Sequence, residues 1–408
     1  MNTQELRKIF PILDSKVYGR KLVYFDNAAT SQRPLSVVDM MYDLNLHHNA
    51  NIHRAVHKLS ADATDAYENA RDAAKRFIKA QDRRQIIFTS GTTAAINLVA
   101  YSFGSAFVDK DSEIIVGEAE HHSNFVPWQQ LALRTGATIR YLRIDDKGYY
   151  SLDSLRSLLG PKTKLVCVNH ASNVLGLLNP VKEIIQICHQ AGVPVLVDGA
   201  QGAVHCKVDV QDLDCDFYAF SAHKLFGPTG VGVLYGKTEL LEQMPPFLCG
   251  GEMVGTVSLE KTTFAPLPMK FEAGTQNFVN AAAISPALEL LSNILNDKEL
   301  DAEFEQLKAY FLEKLRQVPG ITLYGDTSQA DKKLPIYSFT IEGVHHEDLA
   351  ILLDKMGVAV RSGQMCAEPL MNHFGVSGML RASLMQYNTM EEADIFFASL
   401  EKAIAMLK

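Results

Sequence analysis

Short apolar runs alternate with helical patterns through the middle of the chain. Six runs have the length and β-branched composition of buried strands, at residues 86–89, 113–117, 139–144, 164–170, 193–198 and 217–221. Amphipathic stretches typical of helices lie between them, such as residues 181–192, which end in Ala191-Gly192, a common helix stop. Apolar strands that alternate with helices favour a mainly parallel sheet covered on both faces. The pattern therefore predicts an α/β fold whose ligands bind beyond the carboxyl ends of the strands.

The pattern changes near residue 285. One long helical pattern covers residues 281–318, strand-like runs follow at 334–341 and 358–362, and a terminal helix begins near Met390. Together with the chain length of 408 residues, this change indicates more than one domain. We predict an N-terminal segment that packs on the small domain, a large domain, and a smaller α+β domain, at residues 1–22, 23–285 and 286–408 respectively.

Composition narrows the class of protein. Hydrophobic residues make up 47% and charged residues 21% of the chain, which excludes a disordered chain, a collagen and a small disulfide scaffold. The net charge of −8 disfavours sequence-independent nucleic-acid binding, which needs a basic surface. The N-terminus shows no signal-peptide pattern and no apolar run of about 18–20 residues stands out, so we expect a cytoplasmic protein without a membrane partner. The six cysteines form no CxxC pair, and we expect them to be reduced.

Two charged residues stand where strands end. Asp198 closes the run at 193–198, and Lys224 lies between the run at 217–221 and a glycine-rich turn. A polar strand end and a solvated lysine are the ordinary interpretations. A lysine held in a tight, partly desolvated segment is also a candidate for Schiff-base formation. A Schiff-base lysine and an aspartate for the ring nitrogen are the two protein groups that pyridoxal 5′-phosphate needs most.

The residues after the run at 86–89 suit an anion. Residues 90–93 read Ser-Gly-Thr-Thr and open a helix, where backbone N–H groups and hydroxyls bind phosphate. An ordinary helix N-cap is the alternative. Ser221 and His223 lie next to Lys224 and are further donors for the same phosphate.

Adjacent histidines follow the run at 113–117. His121 is a candidate to stack on the ring of a cofactor. Neither an HExxH pattern nor a cysteine ligand set accompanies His121 and His122, so we expect no metal site.

Cys366 lies in a polar loop after a predicted strand, five residues after Arg361 and fifteen before Arg381. A lone cysteine is often an inert buried thiol. Positive charge nearby would instead lower the pKa of this thiol and raise its thiolate fraction. Arg381 is a candidate to clamp a substrate carboxylate with two hydrogen bonds.

From about residue 22 to the end, these segments together resemble the group II cysteine desulfurases of the SufS type, in the class V branch of fold-type I pyridoxal-phosphate enzymes. The blocks that carry the resemblance are YFDNAATSQRP, NIHRAVHKLS, SGTTAAIN, EHHSNFVPW, NHASNVLG, VLVDGAQ, SAHKLFGPTGVGVLYG, FEAGTQN, RSGQMCAEPLM and RASLMQYNT. The resemblance implies a mainly parallel seven-stranded sheet and an α+β C-terminal domain that carries the catalytic cysteine.

The resemblance also implies roles for individual residues. Lys224 would form the Schiff base, Asp198 would pair with the ring nitrogen, and Gln201 would contact the ring oxygen. His121 would stack on the ring, and Cys366 would carry sulfur as a persulfide. The implied phosphate contacts are Thr92, Thr93, Ser221, His223 and, from the neighbouring subunit of a homodimer, Thr275. The implied substrate contacts are Ala28, His53, Asn173, Arg361 and, on the carboxylate, Arg381.

The implied activity is conversion of L-cysteine to L-alanine, with sulfur passed from Cys366 to a SufE- or SufU-like acceptor protein for iron–sulfur cluster assembly. Selenocysteine lyase, which converts L-selenocysteine to L-alanine and selenide, is the alternative. An NAD- or nucleotide-binding protein would also have a parallel sheet, but it needs GxGxxG or GxxxxGK[ST], and neither is present.

The sequence departs from the family pattern at two places. Gln364 and Met365 stand where two histidines usually precede the cysteine. Cys249 stands before Gly250-Gly251, where a third glycine is common, and would be a second thiol near the site.

Overall fold

Seventeen strands and sixteen α-helices make up the computed structural model, which describes residues 1–408. In chain order, strands β1–β17 span Lys16–Val17, Arg20–Lys21, Val23–Tyr24, Ile86–Thr89, Glu113–Gly117, Thr138–Leu142, Thr163–Asn169, Val195–Asp198, Phe217–Ser221, Gly232–Gly236, Val254–Val257, Thr262–Phe264, Ile321–Tyr324, Ile336–Ile341, Val358–Ala359, Arg361–Gly363 and Met379–Ser383. Helices α1–α16 span Thr3–Arg7, Leu35–His47, Lys58–Phe77, Thr92–Phe107, Val126–Thr135, Leu152–Leu158, Val181–Gln190, Gly202–His205, Val210–Leu213, Thr238–Gln243, Phe278–Ala282, Ile284–Asn296, Lys298–Arg316, His346–Lys355, Glu368–Phe374 and Met390–Leu407.

The central sheet has seven strands in the order β4-β10-β9-β8-β7-β5-β6. The pairs from β9 to β6 are parallel, and β10 runs antiparallel to both of its neighbours. The predicted α/β fold with a mainly parallel seven-stranded sheet is confirmed, and each of the six predicted runs overlaps a strand. The strand β10 lies in the segment that the sequence indicated as a glycine-rich turn. Gly232 is needed there because a Cβ on it would lie 2.6 Å from the Gly91 Cα.

Side chains of the central strands alternate between two apolar layers. In β8, Val195 and Val197 face one layer, which contains side chains of α3 and α7, while Leu196 faces the other, which contains side chains of α4 and α5. Full burial of an aliphatic side chain contributes about 1.5–3 kcal/mol. The alternation therefore holds helices against both faces of the sheet and leaves its carboxyl edge free for a site.

The predicted helical pattern over 281–318 is divided into three helices. Helix α12 ends at Asn296, and α13 begins two residues later because Asp297 has extended backbone (φ −87°, ψ 104°). The Asp297 carboxylate accepts hydrogen bonds from the backbone N–H groups of Glu299 and Leu300, at 3.1 and 3.2 Å. The pattern shows continuous apolar spacing, whereas the cap at Asp297 determines where one helix stops and the next starts.

Helices α11 and α12 form one apolar stretch, Phe278–Asn296, which the sequence analysis did not identify as a candidate membrane span. By length and composition alone this stretch could cross a membrane, with a mean hydropathy of 1.4. Half of it is buried inside the protein, where α12 packs against α3 and α2. A core helix of a globular domain passes the same test of composition.

The C-terminal part is built on the four-stranded sheet β13-β14-β17-β16. The N-terminal segment packs onto this part of the protein. Strand β3 pairs parallel with β15, and Phe25 packs edge-on against Phe311 with ring centroids 5.5 Å apart. Arg7 forms an ion pair of 2.8 Å with the buried carboxylate of Glu392 in α16. These contacts carry the chain just after Phe25 to the edge of the cavity described next.

Asp297→Ala should lower stability by about 1 kcal/mol, because it leaves two N–H groups at the start of α13 without an acceptor. Calorimetric melting of the purified protein measures the change. Asp301→Ala, which removes an exposed first-turn carboxylate that caps nothing, is the matched control and should have a smaller effect. Equal melting temperatures for the two variants would contradict the capping role of Asp297.

Candidate active site

A cavity of about 200 Å³ lies at the carboxyl edge of the central sheet. Segments that follow β4, β5, β7, β8 and β9 supply one wall, and β16, β17 and the chain after Phe25 supply the other. Thirteen of the predicted site residues line it: Ala28, Thr92, Thr93, His121, Asn173, Asp198, Gln201, Ser221, His223, Lys224, Arg361, Cys366 and Arg381. The strands of the central sheet bring nine of them together because their carboxyl ends meet at one edge, and the small sheet and the N-terminal segment add Ala28, Arg361, Cys366 and Arg381.

Asp198 and Lys224 are the charged pair at the base of the cavity. Asp198 is 4% exposed, and one carboxylate oxygen accepts a hydrogen bond of 2.9 Å from the Ala200 N–H. Burial raises the pKa of Asp198. Burial also lowers the pKa of Lys224 to about 8, although the Asp198 charge opposes this shift. About a tenth of Lys224 is therefore a neutral amine at pH 7, far more than for an ordinary lysine, and this is the form that attacks an aldehyde.

Hydroxyl groups form a cup at the start of α4. Ser221 Oγ accepts from the Thr92 N–H and contacts the Thr92 hydroxyl, both at 2.7 Å. Thr93 Oγ1 lies 2.7 Å from the hydroxyl of Ser123, a lining residue that the sequence did not predict. Gly91 (φ 146°) keeps the cup open, because a Cβ there would lie 3.3 Å from Ser221 Oγ. Donors at a helix N-terminus provide an anion site.

His121 is a neutral ring at the cavity wall. Its Nδ1 accepts a hydrogen bond of 3.0 Å from the Ser123 N–H, so the remaining proton belongs on Nε2. Burial, with the charge of Lys224 nearby, lowers the pKa of His121 to about 3. Burial likewise lowers the pKa of His223 to about 4. Both histidines therefore present neutral rings at physiological pH.

A buried carboxylate supports the turn that carries His121. Glu120 accepts from the Asn124 amide at 2.6 Å, the Tyr150 hydroxyl at 2.9 Å, and both the backbone and side-chain N–H groups of Asn169 at 2.7 Å. Burial raises the pKa of Glu120 to about 8. Asn169 lines the cavity, yet neither it nor Glu120 was predicted. Both residues stand in sequence blocks that carry the family resemblance, EHHSNFVPW and NHASNVLG, and that was the signal that could have identified them.

The cavity fits pyridoxal 5′-phosphate, the cofactor that the resemblance implies. The hydroxyl cup suits a phosphate, the neutral His121 ring suits stacking, and buried Asp198 suits a protonated ring nitrogen. Gln201 is held at the base by a hydrogen bond of 2.8 Å from its amide to the Ala28 carbonyl. The residues that line the cavity therefore match the phosphate, the ring and the aldehyde of one molecule.

The Cys366 thiol is exposed on a turn of unusual backbone. Met365 and Cys366 both have left-handed φ angles, 53° and 55°, which non-glycine residues rarely adopt. Two hydrogen bonds hold the turn: Asn173 Nδ2 donates to the Met365 carbonyl at 2.9 Å, and the His122 N–H donates to the Cys366 carbonyl at 2.7 Å. Strain of this kind persists only where the surroundings enforce it. Met365 is buried against the cavity, whereas Gln364 is exposed.

Arg381 is a buried guanidinium with one free edge. Nη1 donates to the Asn173 carbonyl at 2.8 Å, and Nη2 donates to Asp26 at 3.1 Å. Nε is buried and has no hydrogen-bond partner in the protein. A buried N–H without an acceptor costs free energy, so this edge of the guanidinium is available to hydrogen-bond an acceptor on a ligand.

Two predicted residues lie outside the cavity. The ring of His53 (φ 73°) packs edge-to-face with the Tyr67 ring, with centroids 5.6 Å apart, and its Nε2 lies 3.8 Å from Glu68 Oε1. Thr275 is exposed to solvent. Cys249 is likewise exposed and does not line the cavity. No group of three or more His, Cys, Asp or Glu side chains is arranged to hold a metal ion.

Comparisons with known proteins identify the family. The chain matches the family described as Aminotransferase class-V over residues 23–396. It is 47% identical over 402 residues, 98% of each chain, to a probable cysteine desulfurase of Halalkalibacterium halodurans. It is 44% identical over 407 residues, 100% of each chain, to a probable cysteine desulfurase of Vibrio cholerae. The solved structure of the cysteine desulfurase CsdA of Escherichia coli superposes with a TM-score of 0.91 at 38% identity, covering 100% of both chains.

The lowered pKa of Lys224 predicts how the apoprotein takes up pyridoxal 5′-phosphate. Only the neutral amine attacks the aldehyde, so the uptake rate should rise through about pH 8 and then level off, well below the usual lysine pKa of about 10.4. Stopped-flow absorbance measures the rate. Asp198→Asn removes the negative charge that favours protonated Lys224 and should move the profile to lower pH. A wild-type rate that still rises towards about pH 10 would contradict the assignment.

Proposed function

Because this chain belongs to the class-V aminotransferase family and is a pyridoxal-phosphate-dependent cysteine desulfurase, we propose that Lys224, Asp198, Arg381 and Cys366 carry its reaction. One observation supports this assignment above the others. Four groups line a single cavity: a lysine with a lowered pKa, a buried carboxylate, a buried guanidinium with an unpaired Nε, and an exposed thiol.

The protein groups around the cofactor have distinct tasks. Bound pyridoxal 5′-phosphate supplies an electron sink for the α-carbon of the substrate. Asp198 keeps the proton on the ring nitrogen, and Gln201 hydrogen-bonds the ring oxygen. Thr92, Thr93, Ser221 and His223 hold the phosphate. Lys224 Nζ removes the proton from the α-carbon, a task that its pKa of about 8 suits.

Arg381 orients the amino acid substrate. Its orphaned Nε and the neighbouring Nη2 present a pair of N–H groups that a carboxylate accepts side-on. Asn173 connects this clamp to the cysteine turn, since its carbonyl accepts from Arg381 and its amide donates to the Met365 carbonyl. The clamp therefore sets the distance between the substrate sulfur and Cys366.

Sulfur leaves the substrate through Cys366. The Cys366 thiolate attacks the substrate sulfur and forms an S–S bond while the Cβ–S bond of the substrate breaks. The electron pair of the broken bond remains with the carbon fragment, which is protonated and leaves as L-alanine. Cys366 is left as a persulfide. Its exposure supports transfer onward to an acceptor protein of the SufE or SufU kind, in the cytoplasm, for iron–sulfur cluster assembly.

The active protein is proposed to be a homodimer in which Thr275 reaches the phosphate bound by the partner. The surface position of Thr275, outside its own cavity, supports this role. The nearby hairpin of β11 and β12 exposes Val257 by 66% and Phe264 by 45%, with Leu259 fully exposed between them. Apolar side chains clustered on a protruding hairpin are typical of a surface that a second subunit covers.

Cys366→Ser should lower kcat/KM for alanine formation from L-cysteine by roughly a hundredfold or more, because serine cannot accept sulfur. The variant should bind the cofactor as the wild type does, which its visible spectrum reports. Cys249→Ser, at an exposed thiol outside the cavity, is the matched control and should stay within about twofold. Full activity of Cys366→Ser would contradict the proposed nucleophile. Selenocysteine lyase activity stays a prediction, and the same variant would retain it because selenium leaves more easily.

Thr275→Ala should weaken cofactor retention by roughly ten- to a hundredfold, because a hydrogen bond to a charged phosphate contributes about 1.5–3 kcal/mol. Equilibrium dialysis gives the dissociation constant, and sedimentation should show an unchanged dimer. Thr322→Ala, at an exposed threonine in β13, is the control. Unchanged cofactor affinity of Thr275→Ala, or a wild-type holoprotein that sediments as a monomer, would contradict the shared site.

A further inference from the structure

We propose that Asp26 determines substrate specificity, by cancelling one of the two guanidinium charges at the carboxylate clamp so that the site takes amino acids with a single carboxylate. This inference rests on the proposed function, in which Arg381 binds the substrate carboxylate. Asp26 itself belongs to none of the roles derived above.

The geometry places Asp26 between both arginines. Arg361 and Arg381 are register partners on the adjacent antiparallel strands β16 and β17, so both guanidinium groups rise from one side of the small sheet. Asp26 Oδ1 accepts from Arg381 Nη2 at 3.1 Å, and Asp26 Oδ2 lies 3.6 Å from Arg361 Nη1. One carboxylate thus uses one oxygen for each arginine.

The backbone holds Asp26 in place. Phe25, the residue before it, accepts a hydrogen bond of 2.7 Å from the Ser383 N–H at the end of β17, and Asp26 itself forms a β-bridge with Ser383. The Asp26 carbonyl also accepts from the backbone N–H of Ala29 at 3.1 Å. The carboxylate is therefore a fixed part of the clamp.

The charge count at the clamp matches one α-carboxylate. Two guanidinium groups and one aspartate leave one net positive charge, and Arg381 keeps its Nε free for a ligand. Among the other groups near the cavity, Lys224 feels the opposing charge of Asp198, Arg33 donates to the Gly227 carbonyl, and the lowered pKa values of His121 and His223 keep both rings neutral.

Without the Asp26 charge, the clamp would carry two uncompensated cations side by side. Such a site would attract a ligand with a second carboxylate where L-cysteine has its thiol. L-Aspartate has the carbon skeleton of such a ligand, and L-alanine has the α-carboxylate alone. The ratio of their affinities therefore reports the charge that Asp26 cancels.

The test compares dissociation constants of L-aspartate and L-alanine for the holoenzyme, measured from the visible absorbance of the bound cofactor and independently from ligand-dependent melting temperature. Asp26→Asn, which keeps the shape and one acceptor oxygen, should strengthen L-aspartate binding relative to L-alanine roughly tenfold. Asp39→Asn, which removes an exposed charge from α2, should leave the ratio unchanged. The double variant Asp26→Asn with Arg361→Gln should return the ratio towards the wild-type value.

Separate outcomes distinguish the inference from the proposed function. If Arg381→Lys weakens L-alanine binding but Asp26→Asn leaves the affinity ratio at the wild-type value, the inference about Asp26 is wrong and the carboxylate clamp stands. If Arg381→Lys leaves L-alanine binding intact, the proposed clamp fails and the inference fails with it. Asp26→Glu, which retains the charge, should keep the wild-type ratio, so a raised ratio in this variant would also overturn the inference.

Discussion

A buried guanidinium must be paired, and the pairing of Arg381 ties the parts of this protein together. Arg381 belongs to β17, its Nη1 donates to the Asn173 carbonyl beyond the central sheet, and its Nη2 donates to Asp26 near the N-terminus. Breaking a buried charge pair typically costs about 3–5 kcal/mol. One side chain therefore connects these three chain segments, in addition to the backbone contacts between the N-terminal segment and β17. The same Asn173 fixes the cysteine turn through the Met365 carbonyl, so substrate orientation and thiol position are coupled.

Burial determines the protonation states of the residues on the other side of the cavity. It lowers the pKa values of Lys224, His121 and His223, so the cavity contains one amine of variable charge and two neutral rings. It raises the pKa of Asp198, whose charge is stabilised by the hydrogen bond from the Ala200 N–H and by nearby positive charge. A protonated ring nitrogen is a suitable cation, which makes this aspartate complementary to the bound cofactor and costly to keep ionised without it.

Sequence patterns predicted the strands well because apolar runs at the centre of a parallel sheet carry a strong signal, as at β7 and β8. They did not show β10, in which Gly232 allows close approach to Gly91, or the helix break at Asp297. The motif residues Lys224, Asp198 and Cys366 could be proposed from their neighbours in the chain. Asp26 could not, because its partner Arg381 is 355 residues away and only the folded chain brings them together.

The most direct test of the account is mass spectrometry of the holoenzyme after a single exposure to L-cysteine, without reductant or acceptor. The account predicts one L-alanine released per occupied site and the mass of one additional sulfur atom on the peptide that contains Cys366. The peptide that contains Cys249 should remain unmodified. L-Alanine formation with no sulfur on Cys366, or with sulfur only on another cysteine, would contradict the account.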